Sequence, residues 1–256
     1  MNGDGPGGAG GTQTVARRPR RRASATGVLG ELFITVGVVV LLYVAWQMWI
    51  GDWIIGAQAN AEGQELSQEW AQEDPVVGPT VAPSPSASVD PIALPQPKDG
   101  KDFGIVHIPR FGDDYAVKVA GGVSKPRTLD KHKIGHYPGT AMPGQPGNFA
   151  IAGHRTTYGA PFGKIAHLRL GDAIVIETKE GWYTYRFRTL EYVTPQTVNV
   201  LDAVPQVGNV ADGERYITLT SCSPKFSNVE RIIAYGVFDS FQPRSAGPPA
   251  SLAGAA

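Results

Sequence analysis

The stretch RYITLTSCSPKFSNVERIIAYGVF, residues 215–238, decides the fold that we predict for this chain. Its two ends, RYITLTS and RIIAYGVF, are rich in β-branched and aromatic residues, which is typical of β-strands. Pro224 ends the first strand, because proline cannot donate a hydrogen bond to a sheet ladder. If the two strands pair antiparallel across the loop between them, Cys222 and Arg231 become neighbours at one rim of the sheet.

Cys222 is the only cysteine among the 256 residues. A free cysteine is commonly a small buried hydrophobic residue, and an arginine at a strand start is commonly a solvated charge. The alternative is a sulfur nucleophile, which needs a basic partner and donors for the oxyanion that forms on an attacked carbonyl. Beside the only cysteine, Arg231 becomes a candidate for stabilising that oxyanion, and the surroundings of Cys222 must decide between the two interpretations.

The N-terminal region predicts a membrane anchor within residues 28–55. An apolar run from Leu32 to Ile50 follows a block of five arginines within residues 17–22. At about 1.5 Å per residue this run reaches roughly 28 Å, close to the thickness of a bilayer core. A cleaved signal peptide is the competing interpretation, but the run is longer than a usual signal core, and Trp46, Trp49 and Trp53 suit an interfacial belt. We therefore expect a single-pass anchor in the cell membrane, with the arginines cytoplasmic and the catalytic part extracellular.

The remaining chain divides into four segments by composition. Residues 1–27 are expected to form a disordered basic cytoplasmic tail. Residues 56–98 are expected to form an extracellular stalk, helix-forming at first and then rich in proline, which favours extended, semi-rigid conformations. Residues 99–241 are the only part with repeated strand signals, and residues 242–256 are expected to be unstructured. We interpret LPQPKDG, residues 94–100, as linker, with a weak self-inhibitory segment as a hypothesis.

Strand-like runs separated by turn residues predict a mainly β domain, either a closed barrel or a sandwich. Short helices are expected near FGKIAHL and NVLDAV. The seven runs are 103–108, 115–120, 149–152, 173–178, 183–193, 215–220 and 231–238.

Any of five histidines could supply the base. His154 follows the apolar run in GNFAIAGHR and opens a loop, and such strand ends are where active sites gather. His107 is expected to face solvent from a strand, His132 and His136 flank a turn-rich loop, and His167 is expected on the surface. Spacing alone does not select His154 over the other four.

Taken together, these motifs resemble the sortases, membrane-anchored cysteine transpeptidases of Gram-positive bacteria. TLTSC at 218–222 matches the family pattern TLxTC, with Ser221 in place of the second threonine. AIAGHR precedes it, and an arginine starts the next strand. The run GHYPGTAMPGQPGNFAIAGHR, residues 135–155, is similar to class E sortases of actinobacteria, and the resemblance covers about residues 100–240.

The resemblance implies an eight-stranded sortase-type β-barrel with one or two short helices. Cys222 would be the nucleophile, His154 the general acid/base, and Arg231 the residue that holds the substrate carbonyl. Four further residues are assigned to substrate binding: Tyr137, Tyr158, Thr220 and Ser221. For Tyr137, packing over the barrel mouth stays open as an alternative to lining the substrate groove.

The same resemblance implies the reaction and the partners. Sortases cut a C-terminal LPxTG-type signal, or an LAxTG-type signal in class E, between Thr and Gly, through a thioacyl enzyme. The acyl group then passes to an amine of a peptidoglycan precursor or a pilin, so the expected partners are surface proteins bearing such signals.

Two other functions are weighed against this one. An L,D-transpeptidase carries a glycine directly before its cysteine, which LTSCSP lacks. A non-catalytic, membrane-tethered binding module would use Cys222 only to fill its core. The sequence has no metal cluster or nucleotide motif, so neither a metal nor a cofactor is expected. The 23 basic and 23 acidic residues balance, which gives no field to attract nucleic acid.

Overall fold

The computed structural model describes residues 24–46, 51–73, 90–206 and 213–253. Most of the predicted cytoplasmic tail, Trp49 and the proline-rich residues 74–89 lie outside these ranges. The chain divides into two units, Met1–Ala45 and Trp46–Ala256.

Helix α1, Ala25–Ala45, is a candidate for a single membrane span. It is the one helix among the described residues that is long and apolar enough to cross a bilayer. Its 21 residues correspond to a length of about 31 Å, and none of its side chains is buried. The helix begins three residues before the predicted span of 28–55, and residues 51–55 belong to a second helix, α2, Gly51–Glu73.

Eight strands close into a barrel in the order β1-β2-β3-β4-β7-β8-β6-β5, which confirms the predicted mainly β, eight-stranded fold. Strands β2 and β3 pair parallel, as do β4 and β7, and the other neighbours pair antiparallel. The strands are β1 Asp102–His107, β2 Ala116–Gly121, β3 Ile134–His136, β4 Gly147–Ala152, β5 Ala173–Glu177, β6 Gly181–Val193, β7 Arg215–Ser223 and β8 Glu230–Pro243.

The sequence patterns identify seven of these strands and miss β3. This strand has three residues and lies within the turn-rich segment before the histidine strand, so it shows no alternating pattern. Gly135 is required there, because a Cβ at this position would overlap the carbonyl oxygen of Gly122. The two predicted short helices are found as single 3₁₀ turns, Ile165–His167 and Val198–Leu201.

Helix α2 packs on the outside of the barrel, whereas these residues were expected to begin a stalk. Trp70 is buried against Ile105 and Ala116. Polar contacts add to this packing: Lys118 Nζ lies 3.2 Å from Glu62 Oε2, and Ser67 Oγ donates to Glu177 Oε1 at 2.8 Å. Residues 51–73 therefore form an outer layer of the domain instead of a spacer.

The segments that directly precede and follow the barrel strands also pack on the barrel. Within the expected stalk, Ile92 O accepts from Tyr183 Oη at 2.7 Å, and Gln96 Nε2 donates to Thr140 O at 2.7 Å. The expected unstructured tail, 242–256, differs in the structure: β8 continues to Pro243, and 3₁₀ turns follow at Arg244–Ala246 and Ala250–Leu252. The physical reason is Arg244, which is buried, donates to Glu177 Oε1 at 2.7 Å and lies 4.7 Å from the Trp182 ring.

The packing of α2 predicts that Gly63→Ala destabilises the protein, although the same change usually stabilises a helix. In a free helix this change stabilises by roughly 0.5–1 kcal/mol. Here a Cβ on Gly63 overlaps the carbonyl oxygen of Ala116, so we expect a loss of about 1–3 kcal/mol in the free energy of unfolding. Chemical denaturation of the full chain in detergent measures it. Ala61→Gly, at an exposed position of the same helix, is the control for helix propensity, and a stability gain for Gly63→Ala would show that α2 is not packed on β2.

Candidate active site

Three adjacent strands bring the sulfur, the imidazole and the guanidinium to one rim. Cys222 of β7 and Arg231 of β8 are register partners. On the other side of β7, Ala152 of β4 pairs with Thr220, and Gly153 N donates to Thr220 O at 3.1 Å. Continuing this parallel register by two residues puts His154 beside Cys222. Since register partners point to the same face of a sheet, the three side chains share one face, with Cys222 in the middle.

Ser221 fastens the backbone on which His154 depends. Its hydroxyl donates to Gly153 O at 2.8 Å, and its side chain is only 4% exposed. Because side chains alternate along a strand, Ser221 faces away from Cys222 and Thr220. In the structure the Ser221 hydroxyl links β7 to the end of β4, and its predicted contact with substrate stays a prediction.

The ring of His154 is contacted at its edge and at its face. Nε2 lies 2.8 Å from Asp130 Oδ1, and the Tyr158 ring stacks at 5.0 Å between centroids with an angle of 28°. Nδ1 is therefore the nitrogen left for proton exchange. Tyr158, for which substrate binding is predicted, lies against His154 and lines a pocket with Asp52 and Trp53 of α2.

Asp130 is a site residue that the sequence did not indicate. It lies in the charged loop KPRTLDKHK, where a single aspartate carries no motif, and it precedes β3, the strand that the patterns missed. Only the closed barrel brings this loop to the end of β4.

The other four histidines have different surroundings. His136 is fully buried and stacks on Phe149 at 5.1 Å, and burial lowers its pKa, so it stays neutral. His107 Nε2 lies 2.7 Å from Glu177 Oε2, in contrast to the expected solvent-facing position. His132 lies near Tyr158, with ring centroids 6.1 Å apart, and His167 is exposed. His154 is the histidine whose position in the register adjoins Cys222.

Arg231 borders a small pocket of about 150 Å³. Its Nη1 donates to Asn228 O at 2.9 Å and to Glu230 O at 2.8 Å, which holds the guanidinium at the rim. Tyr137 and Thr220 line the same pocket, and the Tyr137 hydroxyl lies 2.9 Å from Thr220 Oγ1.

The rest of the lining is largely apolar and comes from the end of β6 and the segment between β6 and β7, which the sequence patterns indicated only as a short helix. Its apolar members are Val193, Pro195, Val198, Val200 and Leu201, and Thr194 and Thr197 also line the pocket. A groove with a charged end, a hydroxyl pair and an apolar wall suits an extended peptide that carries apolar side chains.

The chain is similar to known proteins over most of its length. The Sortase domain family model matches residues 106–239. Sortase SrtE1 of Streptomyces coelicolor is 38% identical over an alignment of 246 residues that covers 94% of this chain and 64% of that protein, so the chain spans less than two thirds of this relative. Sortase SrtE2 of the same organism is 33% identical over 86% of this chain and 85% of its own length. The crystal structure of sortase E1 from Streptomyces coelicolor with a tripeptide in its active site aligns with a TM-score of 0.56 at 41% identity, over 60% of this chain and 97% of that one.

The pairing of Cys222 with Arg231 predicts that Arg231→Cys forms a disulfide with Cys222 under mild oxidation. Directly paired residues of antiparallel strands have Cα atoms about 4.5–5.5 Å apart, within the range that a disulfide spans. Mass spectrometry of the digested protein detects the linked peptides. Ile233→Cys is the control, because Ile233 lies two residues further along β8, opposite Thr220, and diagonal neighbours are about 7–8 Å apart. Equal or faster bridging by Ile233→Cys would contradict the register.

Proposed function

The chain belongs to the sortase family of cysteine transpeptidases and resembles its class E members, and from this premise we propose that it cuts a C-terminal sorting signal between Thr and Gly. It then joins the upstream protein to an amine. The observation that carries the proposal is the register across β4, β7 and β8: Cys222 pairs with Arg231, and the pairing of Ala152 with Thr220, continued by two residues, puts His154 on the other side of Cys222.

The first half of the reaction forms the thioacyl enzyme. The Cys222 thiolate attacks the carbonyl carbon of the threonine, and the carbonyl oxygen becomes an oxyanion. Arg231 donates to that oxygen through Nη2 and Nε, since Nη1 is already bonded to the carbonyl oxygens of Asn228 and Glu230. Protonated His154 donates its Nδ1 proton to the glycine nitrogen, so the C–N bond breaks and a neutral amine leaves.

The second half reverses these roles. The acceptor amine attacks the thioester carbon, and His154 takes a proton from the amine as the new amide bond forms. The C–S bond then breaks and returns the sulfur as a thiolate. Arg231 suits both half-reactions because its charge persists at every relevant pH and its donors form a fixed fork.

The sorting signal lies in the pocket between Tyr137, Thr220, Arg231 and the wall at 193–201. The apolar wall accepts the Leu and the Ala or Pro of an LAxTG or LPxTG signal, and the carbonyl of the signal's threonine points toward Arg231. The tripeptide in the active site of sortase E1 from Streptomyces coelicolor supports a short peptide segment as the ligand.

The enzyme acts at the outer surface of the cell membrane. Helix α1 spans the bilayer, the arginine block before it stays in the cytoplasm, and the barrel is extracellular. Substrates that are surface proteins held in the same membrane reach the site at high effective concentration. The acceptor is an amine of a peptidoglycan precursor or of a pilin.

Cleavage assays with LAxTG and LPxTG peptides on the full chain in detergent test this function. We expect cleavage and an intact mass increased by the acyl fragment on Cys222. Cys222→Ala abolishes both, Arg231→Ala lowers kcat roughly 10²- to 10³-fold, and His154→Ala lowers it roughly 10²- to 10⁴-fold. Arg188→Ala, at an exposed position of β6, is the control and keeps full activity. Cleavage that survives Cys222→Ala would rule the mechanism out.

A further inference from the structure

The contact between Asp130 and His154 has the geometry of a charge-assisted hydrogen bond. Asp130 Oδ1 lies 2.8 Å from His154 Nε2, and the two side chains are 27% and 14% exposed. We propose that Asp130 is a positioning residue for His154: it keeps a proton on Nε2, directs Nδ1 toward the reacting atoms and stabilises the imidazolium. The proposal rests on the proposed roles of Cys222 and His154.

The backbone around Asp130 holds the carboxylate in place. Asp130 lies in the 3₁₀ turn Leu129–Lys131, and its N–H donates to Lys125 O at 2.8 Å. The preceding residue, Thr128, is fully buried, and its hydroxyl donates to Gly121 O at the end of β2 at 3.2 Å. An exposed ion pair between two long side chains contributes little, because both must lose rotamer freedom. Here the side chain of Asp130 is short and its turn is held by hydrogen bonds, and the ring of His154 is held by stacking, so little rotamer freedom is lost when they pair.

The ring of His154 has few other orientations. Tyr158 covers one of its faces at 5.0 Å. Asp52 of α2 is a second carboxylate that interacts with the His154 charge, and Asp52 accepts a hydrogen bond from the backbone of Gly159. His132 also lies near Tyr158, with ring centroids 6.1 Å apart. Asp130 is the group that bonds the ring directly, so it sets which nitrogen carries the second proton.

A carboxylate on Nε2 changes the balance between the two protonation states of the site. For an ordinary cysteine and histidine, with pKa values near 8.5 and 6.5, the neutral pair is favoured over thiolate and imidazolium by about 100 to 1. When the thiol proton moves from Sγ to Nδ1, Nε2 keeps its own proton and donates a hydrogen bond to the Asp130 carboxylate. The negative charge of Asp130 therefore favours the thiolate–imidazolium pair over the neutral pair.

A matched set of variants separates this role from a purely structural one. Asp130→Asn keeps the shape and removes the charge, and Asp130→Glu keeps the charge one methylene further out. Asp102→Asn is the control: Asp102 pairs with Lys133 at 2.6 Å and is 28% exposed, so it loses an ion pair of similar exposure. Each variant is made in the full chain and compared with the unsubstituted protein in detergent. Three quantities are measured: the melting temperature, the kinetics of peptide cleavage and the rate of Cys222 alkylation by iodoacetamide at neutral pH.

We expect Asp130→Asn to lower kcat about 10- to 100-fold with KM changed less than about threefold, and to slow alkylation about 10-fold. Asp130→Glu recovers part of both losses, and Asp102→Asn keeps kcat and alkylation within about twofold. Alkylation needs no peptide, so it tests the role of Asp130 even if the chain cleaves no sorting signal. Absence of cleavage would overturn the proposed function but not the role of Asp130. Two results would overturn the role of Asp130. One is an unchanged alkylation rate in Asp130→Asn, and the other is a loss of kcat in each variant that is proportional to its loss of melting temperature.

Discussion

The parallel pairing of β4 with β7 is the constraint on which the site depends. These strands are far apart in the chain, and their register sets Ala152 against Thr220. A slip of one residue would turn every side chain of one strand to the opposite face. The buried bonds from Thr218 Oγ1 to Asn148 Oδ1 and from Ser221 Oγ to Gly153 O, at 2.9 and 2.8 Å, oppose such a slip. Closure of the barrel leaves neither strand with a free edge.

The outer parts of the domain also reach the site. Helix α2 crosses β2 at Gly63. Its N-terminal part packs against the loop after His154, where a Cβ on Gly56 would lie 3.1 Å from Gly159 O. Tyr158, in that loop, stacks on His154. Helix α2 therefore packs beside the loop that follows His154. This placement explains why residues with the composition of a stalk carry small and aromatic residues at Gly56, Gly63 and Trp70.

The sequence predicted the features whose signals are local. Cys222 and Arg231 flank a single loop, so two strand patterns and Pro224 were enough to pair them. His154 was indicated by its place at a strand end, but the family resemblance was needed to select it over the other four histidines, because pairing between strands distant in the chain leaves no local pattern. Strand β3 was too short to show one, and Asp130 reaches His154 only through the closed barrel. The C-terminal tail was misjudged because the buried partner of Arg244, Glu177, lies on another strand.

The central claim is that Cys222 reacts between His154 and Arg231 at one end of the barrel. The most direct test is a crystal structure of the protein bonded through Cys222 to a peptide analogue of the sorting signal. We predict that the carbonyl oxygen bound next to sulfur lies about 3 Å from the Arg231 guanidinium, with His154 Nδ1 facing the leaving-group side and Nε2 on Asp130. A carbonyl turned away from Arg231, with His154 out of reach of the sulfur, would contradict the account.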